Sequence, residues 1–206
     1  MERPKAVRAN LARKVAREVL RNYGITYPPV DARALVANKA RIVATSRLDE
    51  DGFTAFNHIR SRYYVFINPA RVRGRANFTF AHEAGHVFLR HPEQYDCNGL
   101  TEYERWILDR EANIFAAELL MPEPCLEKFV PVPCGPEALE QASRLFGVSQ
   151  EALVNRLAEL GIQERTVTEA LAREQVLSEQ RRRLERVSLT PAMVLRWAEE
   201  WSGIRG

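Results

Sequence analysis

The sequence predicts an α+β fold: a small, mainly antiparallel sheet packed on helices, followed by a helical C-terminal region. Three observations predict it. Apolar residues recur at helical spacing near the start, and three short runs rich in β-branched and aromatic residues follow between positions 41 and 68. From about position 75 onward the pattern returns to helical spacing.

Val7, Leu11, Val15 and Val19, with Ala12, Ala16 and Leu20 beside them, form one stripe of a first helix that Gly24 and the Pro28-Pro29 turn end. Asp31 has the chemistry of an N-cap for a short helix through Leu35 and Val36. The runs Arg41 to Thr45, Phe53 to Asn57 and Tyr63 to Asn68 read as strands, with Asp51-Gly52 as a turn signal between the first two. A helix from near Arg75 stops before Pro92, and a second from about Glu102 to Leu120 halts at Pro122. Helical patterns at 136–147 and 149–160 flank a Gly147-Val148-Ser149 break, where Ser149 can cap the second. A long Arg/Glu-rich helix from about 164 and a short one after Pro191 complete the chain.

With 206 residues, 46% hydrophobic and 28% charged, the composition is that of an ordinary soluble domain. No window is apolar enough to cross a bilayer and no signal peptide is recognisable, so a cytoplasmic protein is expected. Cys97, Cys125 and Cys134 lack paired spacing, and reduced thiols are the expectation. The net charge of +3 is unevenly spread: residues 1–22 hold seven Lys/Arg against two acids, residues 58–90 six Arg against one acid, and residues 91–140 eleven acids against three bases. The basic segments are expected to face the acidic one within the same fold, or water, rather than nucleic acid.

His82-Glu83-Ala84-Gly85-His86 is a metal site written in helical spacing. Residues four apart lie on one helix face, so both imidazoles can reach one ion, and Glu83 follows the first ligand at the position of a general base. Two neutral imidazoles suit Zn2+, which acidifies a water for attack on a carbonyl. The motif alone therefore implies a metal-dependent hydrolase.

A catalytic zinc takes three protein ligands. His91 is poorly placed to be the third, being followed by Pro92. The helix over 102–120 offers Glu104, Asp109, Glu111 and Glu118. Glu111, with Leu108 one turn back and Phe115 one turn on, shares a face with core residues and is the expected third ligand. A His/His/Glu set also admits Mn2+.

The blocks FTFAHEAGHVFLRH (78–91) and EANIFAAELLMP (111–122) resemble the ImmA/IrrE-type metallopeptidases, over about residues 5–130. The resemblance implies a zincin-like core, His82, His86 and Glu111 as metal ligands, and Glu83 as the catalytic residue. It further implies cleavage of a helix-turn-helix transcriptional repressor, inducing genes of a mobile element or a stress response. Three segments are expected on that basis: a zincin-like domain over 1–130, a helix-turn-helix-like region over 131–164 and a C-terminal helical extension over 165–206.

Two other classes stand beside this reading: a DNA-binding transcriptional regulator with a non-catalytic metal site, and a toxin–antitoxin or phage partner-binding protein. Over Gln150 to Leu160 the cation available for phosphate is Arg156, beside Glu151 and Glu159, so packing against the core or a partner is the expected role of that helix. Tyr63, Tyr64, Tyr95, Tyr103 and His58 are the candidates to stabilise an oxyanion. The strand Tyr63–Asn68 is the expected edge on which a substrate would align.

Overall fold

A computed structural model describes residues 3–71, 76–96 and 99–187, with side chains to 180. The short helix expected after Pro191 lies outside the described residues. Helices α1 (Ala9–Asn22) and α2 (Ala32–Ala37) precede strands β1 (Ala40–Ala44), β2 (Gly52–Asn57) and β3 (Arg62–Ile67). Helices α3 (Ala76–Phe88), α4 (His91–Gln94), α5 (Glu102–Leu120), α6 (Glu123–Phe129), α7 (Pro136–Phe146), α8 (Gln150–Glu159) and α9 (Arg165–Val187) follow. None of the described helices is long and apolar enough to cross a membrane.

The fold is α+β, but the sheet is mixed rather than mainly antiparallel. Its order is β1-β3-β2, with β1 parallel and β2 antiparallel to the central β3. The chain leaves β1, passes beyond the future place of β3, and returns through a tight hairpin. There Asn57 Oδ1 accepts from the Arg60 amide at 2.9 Å and Ser61 takes a left-handed φ of 46°. The expectation that Tyr63–Asn68 forms an edge is thereby corrected: β3 is paired on both sides, and β1 and β2 are the edges.

The core joins α1, α2, β3, α3 and α5 and continues through Leu139 and Phe146 of α7 to Leu153 and Leu157 of α8, with no break near residue 130. On α1, Ala12 and Ala16 are wholly buried while Leu11 is 40% exposed. Small side chains let α1 lie close against α5, so the buried stripe is rotated from the one centred on Leu11. The basic N-terminal segment meets the acidic one as expected: Arg3 pairs with Glu104 at 2.8 Å, Arg8 with Glu111 at 2.8 Å and Arg17 with Glu118 at 2.6 Å.

Helices α3 and α5 cross backbone to backbone. A Cβ placed on Gly85 would lie 2.9 Å from Ala112 Cα and 3.1 Å from its carbonyl oxygen. Any larger residue forces the helices apart. The glycine inside the histidine motif thus sets the distance between the imidazoles and the next helix.

Candidate metal centre

Helix α3 places His82 and His86 one turn apart on the face turned toward α5, their Nε2 atoms 3.1 Å from each other. His82 Nδ1 lies 2.9 Å from Asn113 Oδ1 on α5. The amide oxygen can only accept, so His82 carries its proton on Nδ1 and presents a bare Nε2. Asp109, one turn before Asn113, brings Oδ1 to 3.5 Å from His86 Nε2. These three side chains offer ligand atoms all within 4.8 Å of one another. Two imidazole nitrogens and one carboxylate oxygen at the mouth of a cleft form a donor set that fits a divalent ion such as zinc.

The electrostatics agree with that set. Burial, with the nearby His86 second, lowers the His82 pKa to about 4, and burial likewise lowers that of His86. Both rings therefore stay neutral near pH 7, the form that binds metal. Partial burial acts to raise the Asp109 carboxyl, but the His86 imidazole more than offsets this and holds it below its ordinary value.

Glu111, the expected third ligand, lies outside this cluster. Its Oε1 accepts from the Arg8 amide at 2.7 Å and from Arg8 Nε at 2.9 Å, while Oε2 faces Arg8 Nη2 at 2.8 Å and His91 Nε2 at 3.0 Å. About 200° of helical rotation separates it from Asp109, so the two carboxylates cannot serve one ion. A core-facing position selects the acid that packing buries, and Asp109 is the one that packing leaves open at the cleft. A usable signal was present: Arg105, Asp109 and Asn113 recur at i, i+4, i+8 and form a polar stripe beside the buried one.

His91 also comes to the site. After α3, Arg90 adopts a left-handed φ of 61°, and its guanidinium is held by Glu93, which also accepts from the Tyr63 hydroxyl. That turn folds His91 back so that its Nδ1 sits 3.0 Å from His86 Nδ1. His91, poorly placed by sequence to be a ligand, contacts the His86 ring instead.

Glu83 points into the same cleft, a cavity of about 780 Å³ that it lines with His82, His86, Asp109, Thr54 and Arg105. It is 3% exposed. Thr54 Oγ1 on β2 donates to Oε2 at 2.6 Å. Burial raises the carboxyl to about 7; the Thr54 bond lowers it, and the negative charges of Asp109 and Glu50 add to the rise. A Cβ on Gly52 would meet Glu83 Oε1 at 2.6 Å, so the bare backbone at the start of β2 makes room for this oxygen.

A family model described as the IrrE N-terminal-like domain of the M78 peptidases matches residues 41–158, more than half of the 206-residue chain. The chain belongs to this family. Membership of the IrrE-like peptidases accords with the histidine motif and with a metal cofactor. No match is found among curated proteins. Among solved structures, a Mycobacterium tuberculosis transcriptional regulator is similar in fold, with a TM-score of 0.50 at 17% identity, covering 72% of this chain and 46% of that one. The chain thus spans less than half the length of that regulator.

None of Tyr63, Tyr64, Tyr95, Tyr103 or His58 lines the cleft. Tyr63 is tied to Glu93, Tyr103 stacks on Trp106 at 5.8 Å, and His58 packs edge-on against Phe56 at 5.0 Å. Among the described residues, the polar groups that line it include Thr54, Arg105 and Asn113, which the sequence did not single out.

Proposed function

We propose that this IrrE-like protein is a zinc-dependent endopeptidase with His82, His86 and Asp109 as metal ligands and Glu83 as general base. One observation carries the reading: a buried carboxyl with a pKa of about 7 lies in the same cleft as two neutral imidazoles whose Nε2 atoms face each other at 3.1 Å. A purely structural site has no use for such a base. A divalent ion held there supplies a Lewis acid that polarises the scissile carbonyl and acidifies a water.

Thr54 occupies Glu83 Oε2, leaving Oε1 to take the water's proton and return it to the leaving amine. A pKa near neutrality suits both transfers. Among the described residues lining the cleft, Arg105, whose Nη2 also donates to the Leu100 carbonyl at 3.0 Å, is the cation available to stabilise an oxyanion. The edge strand β2 lines the cleft at Gly52, Phe53 and Thr54, and an extended substrate segment added there would run past Glu83.

The substrate we infer is a helix-turn-helix repressor, and the setting the cytoplasm. The first rests on the resemblance of the two sequence blocks, the second on Cys125 and Cys134 being free thiols. Direct DNA reading by α8 finds no support: Arg156 is 1% exposed, bonded to Glu118 and Glu159 rather than available to phosphate.

The test is cleavage of a small repressor encoded beside this gene, with and without chelator, followed by mass spectrometry of the products. Metal-dependent scission at one bond, lost in Glu83→Gln, is the expected result. An uncut repressor that simply stays bound would replace the peptidase reading with a partner-binding one.

A further inference from the structure

Glu111 and His91 form a continuous chain behind the two histidines, and nothing in the mechanism above uses it. Arg8 donates to both Glu111 oxygens, with its backbone amide at 2.7 Å and its Nη2 at 2.8 Å. Glu111 Oε2 then lies 3.0 Å from His91 Nε2, and His91 Nδ1 lies 3.0 Å from His86 Nδ1. His91 and Glu111 are 0% and 1% exposed, so water does not compete for these bonds.

We infer that Glu111 is a positioning residue that, through His91, sets the tautomer of His86 and turns its bare Nε2 toward the metal. His82 Nε2 and Asp109 Oδ1 both face His86 Nε2 and would draw a proton there, and the relay opposes them from the other side of the ring. A carboxylate clamped by a guanidinium can only accept, so His91 carries its proton on Nε2. With that proton on Nε2, the His91 Nδ1 that faces His86 at 3.0 Å serves as the acceptor. The atom facing it, His86 Nδ1, must therefore donate, which leaves His86 Nε2 without a proton.

That nitrogen is the one 3.1 Å from His82 Nε2 and 3.5 Å from Asp109 Oδ1. Asn113 does the same for His82 in one step, through its amide oxygen at 2.9 Å. The two imidazoles are thus fixed independently, one from α5 directly and the other by a relay that begins just ahead of α1. Were the relay absent, His86 could place its proton on Nε2 and oppose the ion.

This role presupposes the metallopeptidase reading, but its test does not depend on turnover. Long-range ¹H–¹⁵N correlation spectra of the metal-free protein report which ring nitrogen of each histidine is protonated. Wild-type His86 should show a single Nδ1–H form, and both Glu111→Gln and His91→Leu should show a mixture. Zn2+ affinity, measured by competition with a chromophoric chelator, should fall about 10–100-fold in both, the span seen for outer partners of metal-bound histidines.

His91→Asn, whose Oδ1 falls where Nδ1 was and can still accept, should recover most of that loss while His91→Leu does not. Because the His91 variants keep the Arg8–Glu111 pair, a fold that tolerates them leaves the comparison intact even if Glu111→Gln unfolds. A wild-type His86 protonated on Nε2, or equal Zn2+ affinity in His91→Leu and His91→Asn, would overturn the relay. Failure of the wild-type chain to bind any divalent ion would sink the peptidase reading instead, with the spectra still deciding the tautomer.

Discussion

Asp109 and Glu111 stand two residues apart on α5, yet their surroundings share almost nothing. Asp109 keeps 57% of its side chain exposed at the cleft and meets an imidazole. Glu111 is 1% exposed and saturated by Arg8 and His91. Glu104, Glu111 and Glu118 recur every seven residues and face the arginines of the N-terminal segment, whereas Arg105, Asp109 and Asn113 follow each other every four and face the histidines. One helix therefore carries a locking face and a working face. An acid enclosed by guanidinium donors has no lone pair left for an ion, and an acid left open has little effect on stability.

The widest predicted contrast is between removing an acid from each face. Asp109→Ala should weaken Zn2+ binding more than about 100-fold, beyond the loss expected from an outer partner. Its metal-free unfolding free energy should stay within about 0.5 kcal/mol of wild type, as for a surface substitution. Chelator competition and urea titration measure the two. Retained affinity would return the ligand role to another acid.

Glu118→Ala should do the reverse. It removes one of the two carboxylates on Arg156, itself 1% exposed, leaving it the partly exposed Glu159, and should destabilise by about 3 kcal/mol, the lower end of the cost of breaking a buried pair. Metal affinity of the folded fraction should be unchanged.

The two faces also separate by pH. Burial would raise the Glu111 carboxyl, but His91 and Arg8 outweigh it and hold it at about 2, against an ordinary value of 4.5. A depressed carboxyl contributes stability that is complete above pH 4.5 and fades as pH falls through 2, worth about 3 kcal/mol across that window. The buried, neutral His86 and His91 act in the same direction, since the unfolded chain takes up protons below 6.5 and the native chain does not. Melting of the metal-free protein should therefore drop steadily on acidification, and Glu111→Gln should flatten the part below pH 4.5. An acid limb unchanged in that variant would mean the clamp contributes nothing.

Glu83 gives the opposite sign. Its carboxyl is raised to about 7, so the native chain holds a proton that the unfolded chain releases, and its contribution worsens as pH rises from 4.5 through 7. Glu83→Gln should make the metal-free protein more stable at pH 8, by about 1–3 kcal/mol, while abolishing peptidase activity. Stability equal to wild type there would mean the carboxylate is better solvated than its burial implies.

Gly85→Ala should cost about 1–3 kcal/mol from overpacking against Ala112, with a parallel loss of metal affinity as α3 and α5 separate. A variant that loses stability yet keeps the affinity would show that the helix crossing does not set the site.

The histidine pair was legible because i, i+4 spacing is local: any helix over Ala76–Phe88 puts His82 and His86 on one face. The longer helices, the caps at Asp31 and Ser149, and the strand segments were legible for the same reason, whereas the short α4 and α6 carried no such period. The order of the strands was not, since the mixed pairing depends on where the chain returns rather than on any one run of residues.

What the amino-acid sequence determined by itself is the periodicity: two imidazoles and a carboxylate on one helix, a second helix bearing acids on two faces, and a basic N-terminal segment to meet one of them. Only the tertiary structure decided which face goes where. Gly85 lets α5 approach, Arg8 takes Glu111, and Asp109 is left for the cleft. The physical reason is that spacing fixes angles around a helix axis, while the choice of ligand depends on which neighbours have already satisfied each acid.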